Sequence, residues 1–234
     1  MKNYIYNLII NDLTNYCYKN CLNYFPDQAV VLDVGIGNGA MMKNYHSLIK
    51  SKELKITGID INRHYLNHCQ CLIEKYGLEK NVEIYCTPVE KYDPVRMECF
   101  DFILFSMSFM LFREPCGVLD RIKGWLKPGG EIVFFQTMYT DKFPLMEFIK
   151  PRLKYITTVD FGRILYKKDF LKTLQSQQLT VVEDRLIKKE WFKGEYRMLT
   201  ATIADKTGQT KKKQTGPRTH RLNKTAAKHN QWCF

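Results

Sequence analysis

A buried strand that leads directly into a glycine-rich loop and a helix is the feature that most constrains this fold. The run Ala29–Val34 is apolar and rich in β-branched residues apart from Asp33, and it predicts a short buried strand. A helical pattern over Ala40–Lys50 follows three closely spaced glycines, Gly35, Gly37 and Gly39. Glycine admits positive φ and lets a ligand approach bare backbone, and the first N–H groups of a helix lack partners within it. The loop therefore predicts a ligand site, with a tight turn that binds nothing as the alternative.

Strands and helices alternate along the rest of the chain. The further predicted strands are Leu54–Ile59, Val82–Cys86, Phe100–Phe105 and Glu131–Gln136. The predicted helices are Tyr4–Tyr18, Asn62–Tyr76, Glu114–Leu126 and Lys167–Gln178. Two last strands, Leu179–Lys188 and Met198–Ala204, flank a short glycine-containing link and predict an antiparallel hairpin. We interpret the order as five βα units and a terminal hairpin, which indicates a parallel sheet with helices on both faces.

Two acidic residues narrow the class of ligand. Asp33 lies at the end of the first strand, where a carboxylate suits a cationic group and works against a pyrophosphate. Asp60 ends the second strand, beside the loop in a parallel sheet, where a carboxylate can accept two hydrogen bonds from a ribose diol. A ligand with an amino acid part at Asp33, a ribose at Asp60 and no phosphate fits S-adenosylmethionine.

Four sequence segments in order carry a family resemblance. They are Val31–Gly39, Ile56–Ile61, Phe100–Leu104 and Trp125–Val133. With these segments the chain resembles the class I S-adenosylmethionine-dependent methyltransferases over roughly residues 29–136. The resemblance implies an α/β fold, a Rossmann-like doubly wound seven-stranded sheet of order 3-2-1-4-5-7-6 with the seventh strand antiparallel.

The resemblance also implies roles for the residues of the first two segments. Asp33 and the glycines Gly35, Gly37 and Gly39 would hold the methionine part of the cofactor. Asp60 would bind the ribose hydroxyls, and Ile61 would pack on the adenine.

Two later segments are expected to complete the cofactor site. Thr87 and Pro88 stand where the family often has an acidic residue, a departure that leaves only a backbone contact near Val89 for the adenine. At the end of the fourth strand, Phe105 and Met107 would lie under the sulfonium, where aromatic faces and sulfur suit a dispersing positive charge.

The acceptor side of the site is less defined by the sequence. Tyr139 follows the predicted fifth strand on the ligand edge and is the candidate for a base or an acceptor contact. It belongs to an aromatic-rich insertion, residues 137–166, which is interpreted either as a lid over the acceptor or as a satellite core. The sequence assigns no other base and predicts no metal site.

Charge is concentrated at the end of the chain. Of the net charge of +12, residues 1–205 carry +4 and residues 206–234 carry +8, without any acidic residue. We therefore divide the chain into a methyltransferase domain, residues 1–205, with an N-terminal helix, and a basic tail, residues 206–234. The tail is interpreted as an anchor to RNA or an anionic surface, or as a solvated segment.

Cysteines and hydropathy bear on the compartment. Eight cysteines have neither Cys-x-x-Cys nor zinc-site spacing, so free thiols in a reducing compartment are expected. No apolar run reaches the length of a membrane span, and the start lacks the pattern of a secretion signal. We expect a cytoplasmic protein, with the mitochondrion and the nucleus as open alternatives.

The function expected from the sequence is transfer of a methyl group from S-adenosylmethionine to a small molecule. The nearly neutral body and the aromatic insertion favour it. A methyltransferase acting on RNA or a ribonucleoprotein through the basic tail, and a methyltransferase-like subunit without catalysis, are the alternatives. A nucleotide oxidoreductase is disfavoured by Asp33 and by the lack of a second nucleotide-binding half.

Overall fold

A single seven-stranded sheet organises the protein. The computed structural model describes residues 15–140, 164–189 and 194–204, and the sheet has the order β3-β2-β1-β4-β5-β7-β6. The strands are β1 Val30–Val34, β2 Lys55–Asp60, β3 Val82–Cys86, β4 Phe100–Ser106, β5 Leu126–Tyr139, β6 Leu179–Lys189 and β7 Gly194–Ile203. Strands β1 to β5 pair in parallel, and β7 is antiparallel to both β5 and β6. The predicted sheet order and the antiparallel last strand are confirmed.

Helices cover both faces of the sheet, as predicted. They are α1 over residues 15–24, α2 Ala40–Ser51, α3 Arg63–Tyr76, α4 Pro115–Lys123 and α5 Lys167–Ser176, with a short 3-10 helix at Phe109–Leu111. Buried side chains of α1, α2 and α3 form one core cluster with the first face, which we call face A. Buried side chains of α4 and α5 form a second cluster with the opposite face, which we call face B.

Local sequence signals set the bounds of the helix that follows β2. The side chain of Asn62 caps α3 by accepting hydrogen bonds from the backbone N–H groups of His64 and Tyr65. Gly77 ends the helix in the left-handed conformation, with a φ of 61°. Both ends therefore lie within one residue of the prediction, and Asp60 is held just ahead of the cap.

Two connections differ from the prediction. Residues 87–99, between β3 and β4, contain no helix, so the expected fivefold alternation is wrong at this point. Pro88 and Pro94 interrupt the segment, and proline breaks helices because it lacks an N–H and clashes with the preceding turn. The helix α4 ends at Lys123, earlier than predicted, since β5 already begins at Leu126 and passes the turn-forming residues 127–130 in an irregular register against β4.

Several sequence-based predictions fall wholly or partly outside the described residues. The start of the N-terminal helix, the basic tail and most of the 137–166 insertion lie there, so the domain boundaries stay predictions. The described part of the insertion begins as strand, because β5 continues to Tyr139. The seven described cysteines are free, as expected, and Cys233 lies outside the described ranges. Among the helices that the structure describes, none has the length and apolar character to cross a membrane.

Candidate functional site

The glycine loop forms a cradle of left-handed backbone after β1. Gly35, Gly37 and Gly39 have φ values of 87°, 65° and 82°. The N–H groups of Gly35 and Ile36 donate to the carbonyl of Ile59 at 2.8 and 3.2 Å, which fixes the loop to β2. A Cβ at Gly35 would lie 2.7 Å from the Cβ of Ser108, whereas a Cβ at Gly37 would meet nothing within 4 Å. The loop is therefore packed at its base and open at Gly37, where a ligand can approach the backbone.

Asp33 places an unsatisfied carboxylate beneath this loop. The side chain is fully buried on face A, and neither carboxylate oxygen has a hydrogen-bond partner of regular geometry among the described residues. Burial raises the pKa of Asp33 to about 8, the charge of Asp60 adds to the rise, and the nearby hydroxyl of Tyr18 opposes it. Because a buried carboxylate without partners is costly, a cationic ligand group at this position would stabilise the site.

Asp60 lies on the other side of the loop, at the end of β2. One carboxylate oxygen accepts a hydrogen bond from the N–H of Gly37 at 2.9 Å, and the other accepts from the N–H of Asn62 at 2.8 Å. The next residue, Ile61, has a side chain that is 75% exposed. An exposed aliphatic side chain beside a half-buried carboxylate suits a ligand with one flat apolar part and one hydroxylated part.

Polar side chains of α1 and of the end of β4 also lie at the site, although the sequence did not predict them there. Tyr18 of α1 is buried beside Asp33, and Cys17 Sγ lies 3.2 Å from the Oγ of Ser106 at the end of β4. The hydroxyl of Ser108 donates to the carbonyl of Val34 and so ties the turn after β4 to β1. Ser106 and Ser108 could be recognised in the sequence as polar residues at the end of an apolar strand. Nothing in the sequence linked Tyr18 to Asp33.

The structure does not bring Phe105 to Asp33. In the parallel register Asp33 is opposite Leu104, which belongs to the face A cluster, so Phe105 points to face B. There its ring stacks on Phe134 at 5.4 Å between centroids. Alternation along β4 thus places the Phe105 side chain on the face opposite to Asp33, and its contact with the sulfonium stays a prediction.

Met107 and Val89 have different surroundings. Met107 is half-buried in the turn after β4, with a φ of 58°, and packs against the face A cluster that includes Tyr18. Val89 is buried in the face B cluster, so its side chain is part of the core. Met107 is thus on the same sheet face as Asp33, while at Val89 only the backbone remains available for a ligand.

Tyr139 is the last residue of β5 and lies at the carboxyl edge of the sheet. Its N–H donates to the carbonyl of Leu165 at 2.9 Å, and its partner across the strand pair is Gly194. The side chain is 5% exposed. The sequence placed Tyr139 after a strand ending at Gln136, but pairing with β7 extends β5 to include it.

A family model matches part of the chain. Residues 32–134 match the model described as a methyltransferase domain. The sheet order of the chain is that of the class I methyltransferase fold. The segment matched by this family includes Asp33, the glycine loop and Asp60.

Two curated proteins and a solved structure are similar to this chain. A ubiquinone/menaquinone biosynthesis C-methyltransferase from Wigglesworthia glossinidia brevipalpis is 33% identical over 150 residues, which are 61% of this chain and 57% of that protein. A malonyl-(acyl-carrier protein) O-methyltransferase 2 from Ilyobacter polytropus is 26% identical over 66% of this chain and 59% of that protein. The chain thus spans slightly more than half the length of these two relatives. A geranyl diphosphate methyltransferase solved in complex with SAM has the same fold, with a TM-score of 0.66 at 11% identity over 81% of this chain and 85% of that one.

Proposed function

We propose that the chain is a methyltransferase that binds S-adenosylmethionine at the glycine loop and methylates a small-molecule acceptor. The observation that carries this proposal is the fully buried, unsatisfied carboxylate of Asp33 beneath the left-handed loop, next to the carboxylate of Asp60. Two carboxylates so placed favour a ligand with positive charge and hydroxyl groups, and they disfavour the pyrophosphate of a dinucleotide.

The residues of the site fit this cofactor group by group. Asp33 would hold the amino group, and the uncrowded backbone at Gly37 would border the rest of the methionine part. Asp60 keeps free acceptor capacity for the ribose, since a carboxylate offers about four lone-pair positions and two N–H groups occupy part of them. Exposed Ile61 would pack on the adenine, and the backbone at Val89 would border it.

When bound, S-adenosylmethionine supplies a methyl carbon activated by positive sulfur. This chain has to align the acceptor with that carbon and to exclude water. Met107 lies after β4 on the same sheet face as Asp33, and its thioether is a soft, uncharged neighbour for a sulfonium. Tyr139, at the carboxyl end of β5, is proposed to contact the acceptor or to take up its proton.

The relatives support a small-molecule acceptor. The two curated relatives are named for C-methylation in ubiquinone/menaquinone biosynthesis and for O-methylation of malonyl-(acyl-carrier protein). In both reactions the methylated atom is an oxygen or a carbon, so we propose an oxygen-bearing organic acceptor for this chain as well. An RNA acceptor held by residues 206–234 is supported by the charge of the tail.

A labelling experiment separates these functions. The full chain is incubated with methyl-labelled S-adenosylmethionine and a cell extract, which is then divided into metabolite, protein and RNA fractions. We expect label in the metabolite fraction, lost in Asp60→Ala and kept in Asp93→Ala, a control carboxylate whose side chain is 81% exposed. Label in RNA that disappears when residues 206–234 are deleted would assign the RNA function instead. No label in any fraction would contradict enzymatic transfer.

A further inference from the structure

Gln136 of β5 is a buried polar residue for which the proposed cofactor site has no use. Its side chain is fully buried, and within the described part of the chain neither Nε2 nor Oε1 has a hydrogen-bond partner. An amide offers two donors and one acceptor with two lone pairs, and burying all of them unpaired is unfavourable. A methionine would fill nearly the same volume without this cost, so packing does not explain the amide.

The position of Gln136 is at the edge where ligands bind in such sheets. The preceding residue, Phe135, is the last residue of β5 that pairs with β4, opposite Ser106. Beyond this pair β4 turns away, and the N–H of Met107 donates to the carbonyl of Phe135 at 2.8 Å. Gln136 is therefore the first residue of β5 past the end of β4, where an open α/β sheet forms its ligand crevice.

The neighbours of Gln136 along β5 on face B are apolar. Phe134 and Met138, at alternate positions along β5, belong to the face B cluster. The centroid of the Phe134 ring lies 5.1 Å from that of Phe109 and 5.0 Å from that of Phe170. The amide thus has apolar neighbours along its own strand and a charged neighbour, Arg197, across the strand pair.

The cross-strand neighbour of Gln136 does not compensate for its amide. Arg197 is opposite Gln136 in the β5–β7 pair. Its guanidinium donates to Asp184 and to Glu195, both at 2.6 Å, so its charge is already matched by two carboxylates. The hydrogen-bonding capacity of the amide is left for another molecule.

We propose that Gln136 is an acceptor-binding residue whose amide hydrogen-bonds a carbonyl or hydroxyl oxygen of the acceptor. The proposal rests on the proposed function, since it deepens the acceptor side of the same site. In this arrangement the amide selects an acceptor that carries oxygen. A site that has to pair a buried polar group discriminates strongly against an analogue without the matching group.

Two probes test this selection. The probes are 1,4-naphthoquinone, which carries two carbonyl oxygens, and naphthalene, which carries none. Their affinities are measured by titration of the full chain saturated with S-adenosylhomocysteine. The variants are Gln136→Met, which removes the amide at similar volume, and Thr137→Val, a control at the next buried position, 6% exposed and on the other face.

We expect Gln136→Met to lose affinity for naphthoquinone but not for naphthalene. Gln136→Met should weaken naphthoquinone binding about 10-fold or more, the loss of one hydrogen bond to a buried group, and leave naphthalene binding unchanged. Thr137→Val should change neither affinity. A purely structural amide would shift the melting temperature of the variant without changing the ratio of the two affinities.

The inference is overturned if naphthoquinone binds no better than naphthalene, or if Gln136→Met and the wild-type protein prefer it equally. Failure of the proposed function would appear elsewhere, as absence of S-adenosylhomocysteine binding in the wild-type protein.

Discussion

The carboxylate of Asp60 accepts a hydrogen bond of 2.9 Å from the backbone N–H of Gly37, across the glycine loop. The same side chain that is expected to bind the ribose therefore also holds the loop in shape. A second hydrogen bond, from the N–H of Asn62, fixes the carboxylate to the start of α3. Loop, strand end and helix start are thus coupled through one residue.

Asp60→Ala tests this coupling. We expect it to weaken binding of S-adenosylmethionine by about 1–3 kcal/mol, the scale of hydrogen bonds to a charged acceptor. The measurement is isothermal titration calorimetry, with Asp93→Ala as the control because Asp93 is exposed and pairs with Arg121 outside the loop. An unchanged affinity in Asp60→Ala would show that the ribose does not bind at this carboxylate.

Gly37→Val tests the open side of the loop. A Cβ at Gly37 would meet no atom of the described residues within 4 Å, so added side-chain atoms enter the space proposed for the cofactor. Its φ of 65° also strains a residue with a side chain, by roughly 1–2 kcal/mol. We expect a folded variant of lower stability that no longer binds the cofactor, whereas Gly117→Val, at another uncrowded glycine, should bind normally. Micromolar affinity in Gly37→Val would refute the placement.

The buried carboxyl of Asp33 makes stability depend on pH. Its pKa rises from a usual value of 3.8 to about 8 in the folded protein, first through burial and then through the charge of Asp60. The unfolded chain therefore releases this proton at lower pH than the folded chain does. The contribution of Asp33 is fully present below pH 3.8 and is lost as the pH rises to about 8.

Asp33→Asn should remove this slope. Chemical denaturation of the ligand-free protein at several pH values should show wild type losing stability relative to Asp33→Asn between pH 4 and pH 8, an interval set by the same two pKa values. Cofactor binding should release a proton near neutral pH, since a cation beside Asp33 favours its charged form. Parallel pH profiles of the two proteins would contradict the assignment.

The contribution of Asp184 to stability depends on pH in the opposite direction to that of Asp33. Burial opposes ionisation, but hydrogen bonds from Arg197 and Lys167 outweigh it and lower the pKa of Asp184. The stabilisation is present above the usual pKa of an aspartate and is lost as the pH falls through the lowered value. Asp184→Asn should lower the free energy of unfolding at pH 7 by about 1–2 kcal/mol, with a smaller deficit in acid, as measured by urea denaturation. An equal deficit at both pH values would show that charge is not the cause.

The parts of the fold that the sequence predicted are those with local signals. Asn62 and Gly77 bound a helix through short-range hydrogen bonds and backbone conformation, and Asp60 ends a strand whose apolar run is short. The glycine loop is a local feature of the same kind. These signals do not depend on contacts between distant parts of the chain, so the structure shows them as predicted.

The parts that could not be predicted depend on register and distant contacts. The strand around Phe105 is apolar on both faces, so no alternation in the sequence showed which side chains point to face B. Tyr18 approaches Asp33 only because α1 packs on face A. The sequence did not indicate Gln136 as a site residue, because one polar residue at a predicted strand end has no distinctive pattern until its burial is known.

A crystal structure of the full chain with S-adenosylhomocysteine would show whether the glycine loop and the two carboxylates hold the cofactor. We expect the amino group of the ligand at Asp33, the ribose hydroxyls at Asp60 and the adenine against Ile61, with the glycine backbone alongside. A ligand bound elsewhere, or a crevice at Gly37 filled by the protein's own side chains at saturating ligand, would contradict this placement.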